Sequence, residues 1–103
     1  MRKQKNFLFE DDKLVIDIVC DRFPVLTHEE LKEKIKDVMK DARQIVADLI
    51  TDVQFKTLDF ERQLFFIPLD GKDFAIAIQI EADKADRDLV IERLEKAGFV
   101  EAD

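Results

Sequence analysis

From Leu31 to Ile50 the apolar residues Leu31, Ile35, Val38, Met39, Ala42, Ile45, Val46, Leu49 and Ile50 recur at the three- and four-residue spacing that lines one side of a helix. Thr27 stands where an N-cap is needed, and Glu30, three residues on, can reach back to complete a capping box. Leu26 and Leu31 are spaced for a hydrophobic staple across that cap, and Pro24 interrupts the chain just before it. The pattern predicts one helix from His28 to about Ile50, roughly 34 Å long. On its outer side Glu30–Lys34 and Glu33–Lys36 are favourable neighbours and Glu33–Asp37 an unfavourable one. A helix with one broad apolar stripe must bury it against another layer, so the rest of the chain has to supply that layer.

Elsewhere the apolar period changes to strict alternation. From Asp73 to Ile80, Phe74, Ile76, Ile78 and Ile80 share one face of a strand, and Ala75, Ala77 and Gln79 the other. Asp70-Gly71-Lys72 provides a tight turn before it, with Gly71 free to take a positive φ. The preceding run, Leu64 to Leu69, is apolar on both parities. Leu64 and Phe66 share one face; Phe65, Ile67 and Leu69 share the other. Pro68 lacks a ladder donor, which places that end of the strand at an edge or a terminus. In Lys13–Cys20, Leu14, Ile16, Ile18 and Cys20 oppose Val15, Asp17 and Val19. A shorter strand over Asn6–Glu10 would pair with it through an Asp11-Asp12 turn, and the basic residues 1–5 are expected to form a disordered tail. Val53–Phe60 has strand composition, but its apolar parity changes between Phe55 and Leu58, which a bulge or bend near Lys56-Thr57 would reconcile. A second helix capped by Asp83 or Asp86 would bury Val90, Ile91, Leu94 and Ala97, with Leu89 at the margin. It would end at Gly98 in a left-handed conformation, with Phe99 folded back on its last turn. Phe99 to Ala102 could add a short edge strand.

The expected order is therefore ββαβββα(β) over residues 1–103 as one α+β domain. The architecture is a two-layer sandwich, a mainly antiparallel sheet with two helices on one face. If residues 53–69 formed one long bent strand, residues 13–102 would follow a ferredoxin-like split βαβ arrangement.

Function is constrained mostly by what the chain lacks. It has no Ser, Tyr or Trp, one His (His28), one Cys (Cys20) and two Gly among 103 residues. Hydroxyl or thiol nucleophiles held by a base, Gly-rich phosphate loops and dinucleotide fingerprints have almost no material here. His28 falls on the first turn of the long helix, where an exposed polar residue is ordinary, although a carboxylate-flanked imidazole can act as a base. Cys20 lies in an apolar run and reads as a reduced core thiol; with Asp21 and His28 it matches no zinc spacing. Glu10-Asp11-Asp12 and Asp83/Asp86/Asp88 are local acidic clusters; the second lacks the glycine and following Glu of a cation loop, and capping accounts for it. Burial among Val15, Ile16, Ile18 and Val19 would raise the pKa of Asp17, but its strand parity points it outward.

The net charge is −7. Residues 1–50 carry 10 basic and 11 acidic side chains, residues 51–103 carry 7 and 13. Such a surface disfavours nucleic acid, and no stretch is long enough for a signal peptide or a membrane span, so a cytoplasmic protein is expected. No cofactor or metal is expected either. The sheet holds more apolar side chains than one helical layer can cover. The expectation is a non-catalytic protein-binding module: an adaptor, a subunit or a chaperone-like dimer. Its partner would be a second copy or another protein, with Phe65, Phe66, Ile67, Leu69, Ala75, Ala77, Val15 and Val19 as interface residues. The alternatives are an acidic inhibitor of a basic enzyme, such as a nuclease, and a small-molecule-binding regulatory domain.

Overall fold

A computed structural model of the chain describes residues 2–23, 27–69 and 73–102. The chain opens with a long hairpin. Strand β1 (Arg2–Glu10) pairs antiparallel with β2 (Lys13–Phe23) in unbroken register from Arg2↔Asp21 to Glu10↔Lys13. Asp11 turns the corner at φ 56°, a left-handed conformation that Asp tolerates better than most residues. The expected tail is thus a strand from Arg2 onward. Alternation decides this: Lys3 and Lys5 fall on the same face as the buried Phe7, where they meet polar partners instead of water.

Helix α1 (His28–Leu49) starts at the predicted cap. Thr27 Oγ1 accepts from the Glu30 N–H at 3.2 Å, and a Glu30 carboxylate oxygen accepts from the Thr27 N–H at 3.3 Å. Val38, Met39, Ala42, Ile45, Val46 and Leu49 are buried. Pro24, the proposed staple residue Leu26 and the Asp70-Gly71-Lys72 turn lie outside the described residues.

After α1 the expected strand 53–60 is only β3 (Val53–Phe55). The parity change is resolved by leaving the sheet. Asp59 donates its N–H to Thr57 Oγ1, Leu58 is exposed, and Phe60 plugs the core at the head of a 3-10 turn, Phe60–Gln63. The chain then re-enters as β4 (Leu64–Pro68). Both β3 and β4 pair antiparallel with the same edge of β5 (Phe74–Ala85), β3 near its C-terminal end and β4 near its N-terminal end. β5 runs five residues past the expected Ile80, because β2 on one side and β3 on the other continue to pair with it.

Helix α2 (Arg87–Lys96) is capped by Asp86, whose carboxylate accepts from the Asp88 N–H at 3.0 Å. It closes in a Schellman pattern: Phe99 N–H donates to Leu94 O and Gly98 N–H to Glu95 O, both at 3.0 Å, with Gly98 at φ 90°. Phe99 is buried and leads into β6 (Val100–Glu101), parallel to β1 at Asn6 and Phe7.

The sheet is open and six-stranded, ordered β3-β5-β2-β1-β6 with β4 beside β3 on β5. β2 and β3/β4 are parallel to each other and separated by β5, with α1 as the crossover. That is the first half of a split βαβ. The second half, β5-α2-β6, is split by two strands because β1 lies between β2 and β6. The ferredoxin-like reading holds in outline and is corrected by this inserted strand.

Both helices cover one face. The core joins Phe7, Leu14, Ile16, Ile18, Cys20, Ile76, Ile78 and Ile80 from the sheet to the α1 stripe and to Val90, Leu94 and Phe99. Cross-strand neighbours share a face, so Phe7↔Ile16↔Ile80 and Cys20↔Ile76 are rows of one apolar floor.

Candidate protein-docking surface

β4 is the place where that cover runs out. Phe66 and Leu64 pair with Ile76 and Ile78, so they point to the helix side. Phe65 and Ile67 pair with Ala77 and Ala75, so they point to the open side. Phe65 is 43% exposed, Phe66 52% and Ile67 42%, so this one strand presents large apolar side chains to solvent on both faces. Most charged chains mark such strands with Lys or Glu; residues 63–69 contain no charged residue in a chain that is 40% charged.

The outer edge of β4 is also unpaired among the described residues. Its hydrogen-bonding sense follows from one contact. Leu69 N–H donates to Asp73 O at 2.9 Å in the same register as the ladder. Antiparallel pairs alternate, so Ile67 and Phe65 bond to β5 while Leu64, Phe66 and Pro68 aim their backbone groups outward. Pro68 therefore sits where its missing N–H costs the sheet nothing. The edge, unpaired among the described residues, offers the N–H of Phe66 and the carbonyls of Leu64, Phe66 and Pro68.

The expected interface residues are only partly gathered. Phe65, Ala77 and Val19 form one row across the open face, and Ile67 and Ala75 lie beside it. Ala75 and Ala77 are buried yet belong to the face away from the helices, outside the core cluster. Leu69 is half-buried just past β4. Val15 is separate: it pairs with Leu8 and Glu81 toward the other end of the face, beyond a polar row of Asn6, Asp17 and Gln79. Burial raises the Asp17 pKa, and a hydrogen bond with Gln79 partly offsets this. Phe66 belongs to the opposite face from Phe65.

On the helix side, a groove of about 350 Å³ runs between α1 and β4, with Ile35, Met39 and Leu64 as its floor and Lys36, Arg43 and Glu61 on its rim. This groove exposes a feature the sequence reading missed. Lys32, Lys36 and Lys40 follow one another at four-residue intervals, and Lys36 and Arg43 reach the groove toward β4; Glu29 and Glu33, three residues before Lys32 and Lys36, lie on the same side of the helix. Asp37 and Asp41 lie on the other flank, toward β1. There Lys3 forms ion pairs with Asp37 at 3.2 Å and with Asp41. Burial pulls the Lys3 pKa down, but its hydrogen bonds to Asp41 and Asp37 outweigh this and raise it. None of Lys32, Lys36, Lys40 and Arg43 forms an ion pair with a described residue. The four-residue lysine spacing is legible in the sequence; pairing each cation with its nearest acid concealed it.

The other candidates do not converge. His28 is exposed at the start of α1, and Cys20 is buried beneath the helices. No group of three metal-ligating side chains occurs among the described residues. A larger trough of about 440 Å³ lies at the far end of β5, but Asp52 there is ion-paired with Arg93, and Asp86 caps α2. No described helix is long and apolar enough to cross a membrane. Comparison with protein-family models, with curated proteins and with solved structures finds no match to this chain.

Proposed function

We propose that the chain is a non-catalytic protein-binding module that docks its partner at β4. The observation that carries this reading is the combination on one strand: apolar side chains exposed on both faces, no charge, and a backbone edge unpaired among the described residues. A strand added there would gain main-chain hydrogen bonds and cover Phe65, Phe66 and Ile67 together. The thin catalytic inventory agrees with a binding role. The partner is a second copy or another chain.

The reading is tested by placing a photo-crosslinking side chain at position 65 in cells that express the protein. A single discrete adduct, either a dimer of this chain or one heterologous protein, is expected, and Phe66→Glu should abolish it. An absent adduct, or one unaffected by Phe66→Glu, contradicts the proposal. The same probe at Leu89, exposed on α2, serves as the control.

A further inference from the structure

We infer that the occupant of the β4 edge is an extended protein segment alternating acidic and apolar residues, with its acidic side chains against Lys36 and Arg43 of α1. This rests on the docking reading above and adds the chemistry of the partner.

The argument is one of charge complementarity. Within a chain of net charge −7, Lys36 and Arg43 both stand at the groove beside β4, and neither forms an ion pair with a described residue. Asp37 and Asp41 of the opposite flank are engaged by Lys3. Lys36 and Arg43 rim the groove whose floor includes Leu64 of β4, and Glu61 is the one acid among its described lining residues. A strand hydrogen-bonded to Leu64 and Phe66 would send alternate side chains to the two faces. Those on the helix side would lie beside Phe66 and point toward Lys36 and Arg43, which suits Asp and Glu. Those on the open side would lie beside Phe65 and Ile67, which suits Val, Ile or Phe. The two specificities thus fall on the two faces of one added strand.

A second copy fits less well. Antiparallel β4–β4 pairing has its two-fold axis normal to the sheet, so both helical layers lie on the same side. Each α1 would then turn its Lys36 and Arg43 toward the other across the axis. Like charges facing across an interface oppose association.

The probe is the peptide Val-Glu-Val-Asp-Val-Glu-Val, blocked at both ends, with its counterpart carrying Lys at every acidic position. Titration is followed by the backbone amide signal of Phe66. The acidic peptide should bind at least about tenfold more tightly than the lysine peptide, and its binding should weaken as salt is raised. Lys36→Glu with Arg43→Glu, both exposed positions, should reduce acidic-peptide binding by about tenfold, whereas Lys84→Glu on β5 should leave it unchanged. Equal binding of the two peptides, no binding of either at millimolar concentration, or indifference to the double reversal overturns the inference. Self-association lost on Phe66→Glu, without acidic-peptide binding, overturns this inference and leaves the docking proposal standing. If no self-association, no peptide binding and no position-65 adduct are found, both fall.

Discussion

At the β6 edge of the sheet, Lys5 donates to the Ala97 carbonyl and lies 4.9 Å from the centre of the Phe99 ring. Arg87 there makes a two-pronged contact with Glu101 and stacks over Phe9 at 5.4 Å. At the β4 edge no such tie is present among the described residues, although the strand is at least as apolar. Both edges start from aromatic side chains on the same sheet. They differ in whether long cationic side chains and a helix return cross over them. Apolar content therefore does not predict cover. Phe7 and Phe99 are covered where neighbours satisfy the polar groups around them, although β6 itself is exposed, and under the docking proposal the β4 edge is left to a partner.

The sharpest way to break this contrast is to truncate one phenylalanine toward each end of the sheet, on β1 beside β6 and on β4. Phe7, 1% exposed, and Phe66, 52% exposed, both point to the helix side. Phe7→Ala should destabilise the fold by about 3–5 kcal/mol. Phe66→Ala should cost less than about 1 kcal/mol in urea denaturation of the isolated chain. A large loss from Phe66→Ala would mean that β4 is part of the core. Next in size is the turn that delivers β6. Gly98 holds φ 90°, so Gly98→Ala should cost about 1–2 kcal/mol and raise exchange in β6 before it affects β4. Equal stability would mean that the β6 closure contributes little. Thr27→Ala removes the cap of the helix that carries Lys36 and Arg43 and should cost about 1 kcal/mol by the same denaturation.

The smallest expected effect is at Asp17, in the polar row of the open face. Its folded pKa is raised by burial above the ordinary value of 3.8. The folded state thus holds that proton more tightly than the unfolded state. Stability should fall as pH rises from the unfolded pKa through the folded one and stay flat above it. Asp17→Asn should remove that step and leave the protein slightly more stable at neutral pH. A step that persists in the variant would assign it to other carboxylates.

Legibility in the sequence followed how local the cause was. The α1 cap, the Gly98 turn and the faces of β2 and β5 depend on neighbours a few residues away, and Thr27, Gly98, Ile16 and Ile78 stand where their spacing put them. The strand from Arg2 was hidden because Lys3 and Lys5 are stabilised by Asp37, Asp41, Ala97 and Phe99, all remote in sequence. The break after β3 was visible as a parity change but not its form, since Phe60 leaves the sheet to fill the core. The insertion of β1 between β2 and β6 has no local signature at all. For the docking surface, the apolar residues of β4 were readable, but their division between two faces needed the β5 register, and the placing of Lys36 and Arg43 beside it needed the position of α1 over the sheet.

Amide hydrogen exchange on the isolated chain at low micromolar concentration tests the docking edge most directly. The N–H groups of Phe65 and Ile67, which point to β5, should be protected, and that of Phe66 should exchange near the rate of open chain. Adding the acidic peptide should slow Phe66 selectively. Protection of Phe66 in the isolated monomer, or no change at Phe66 when the peptide is saturating elsewhere, would contradict the account.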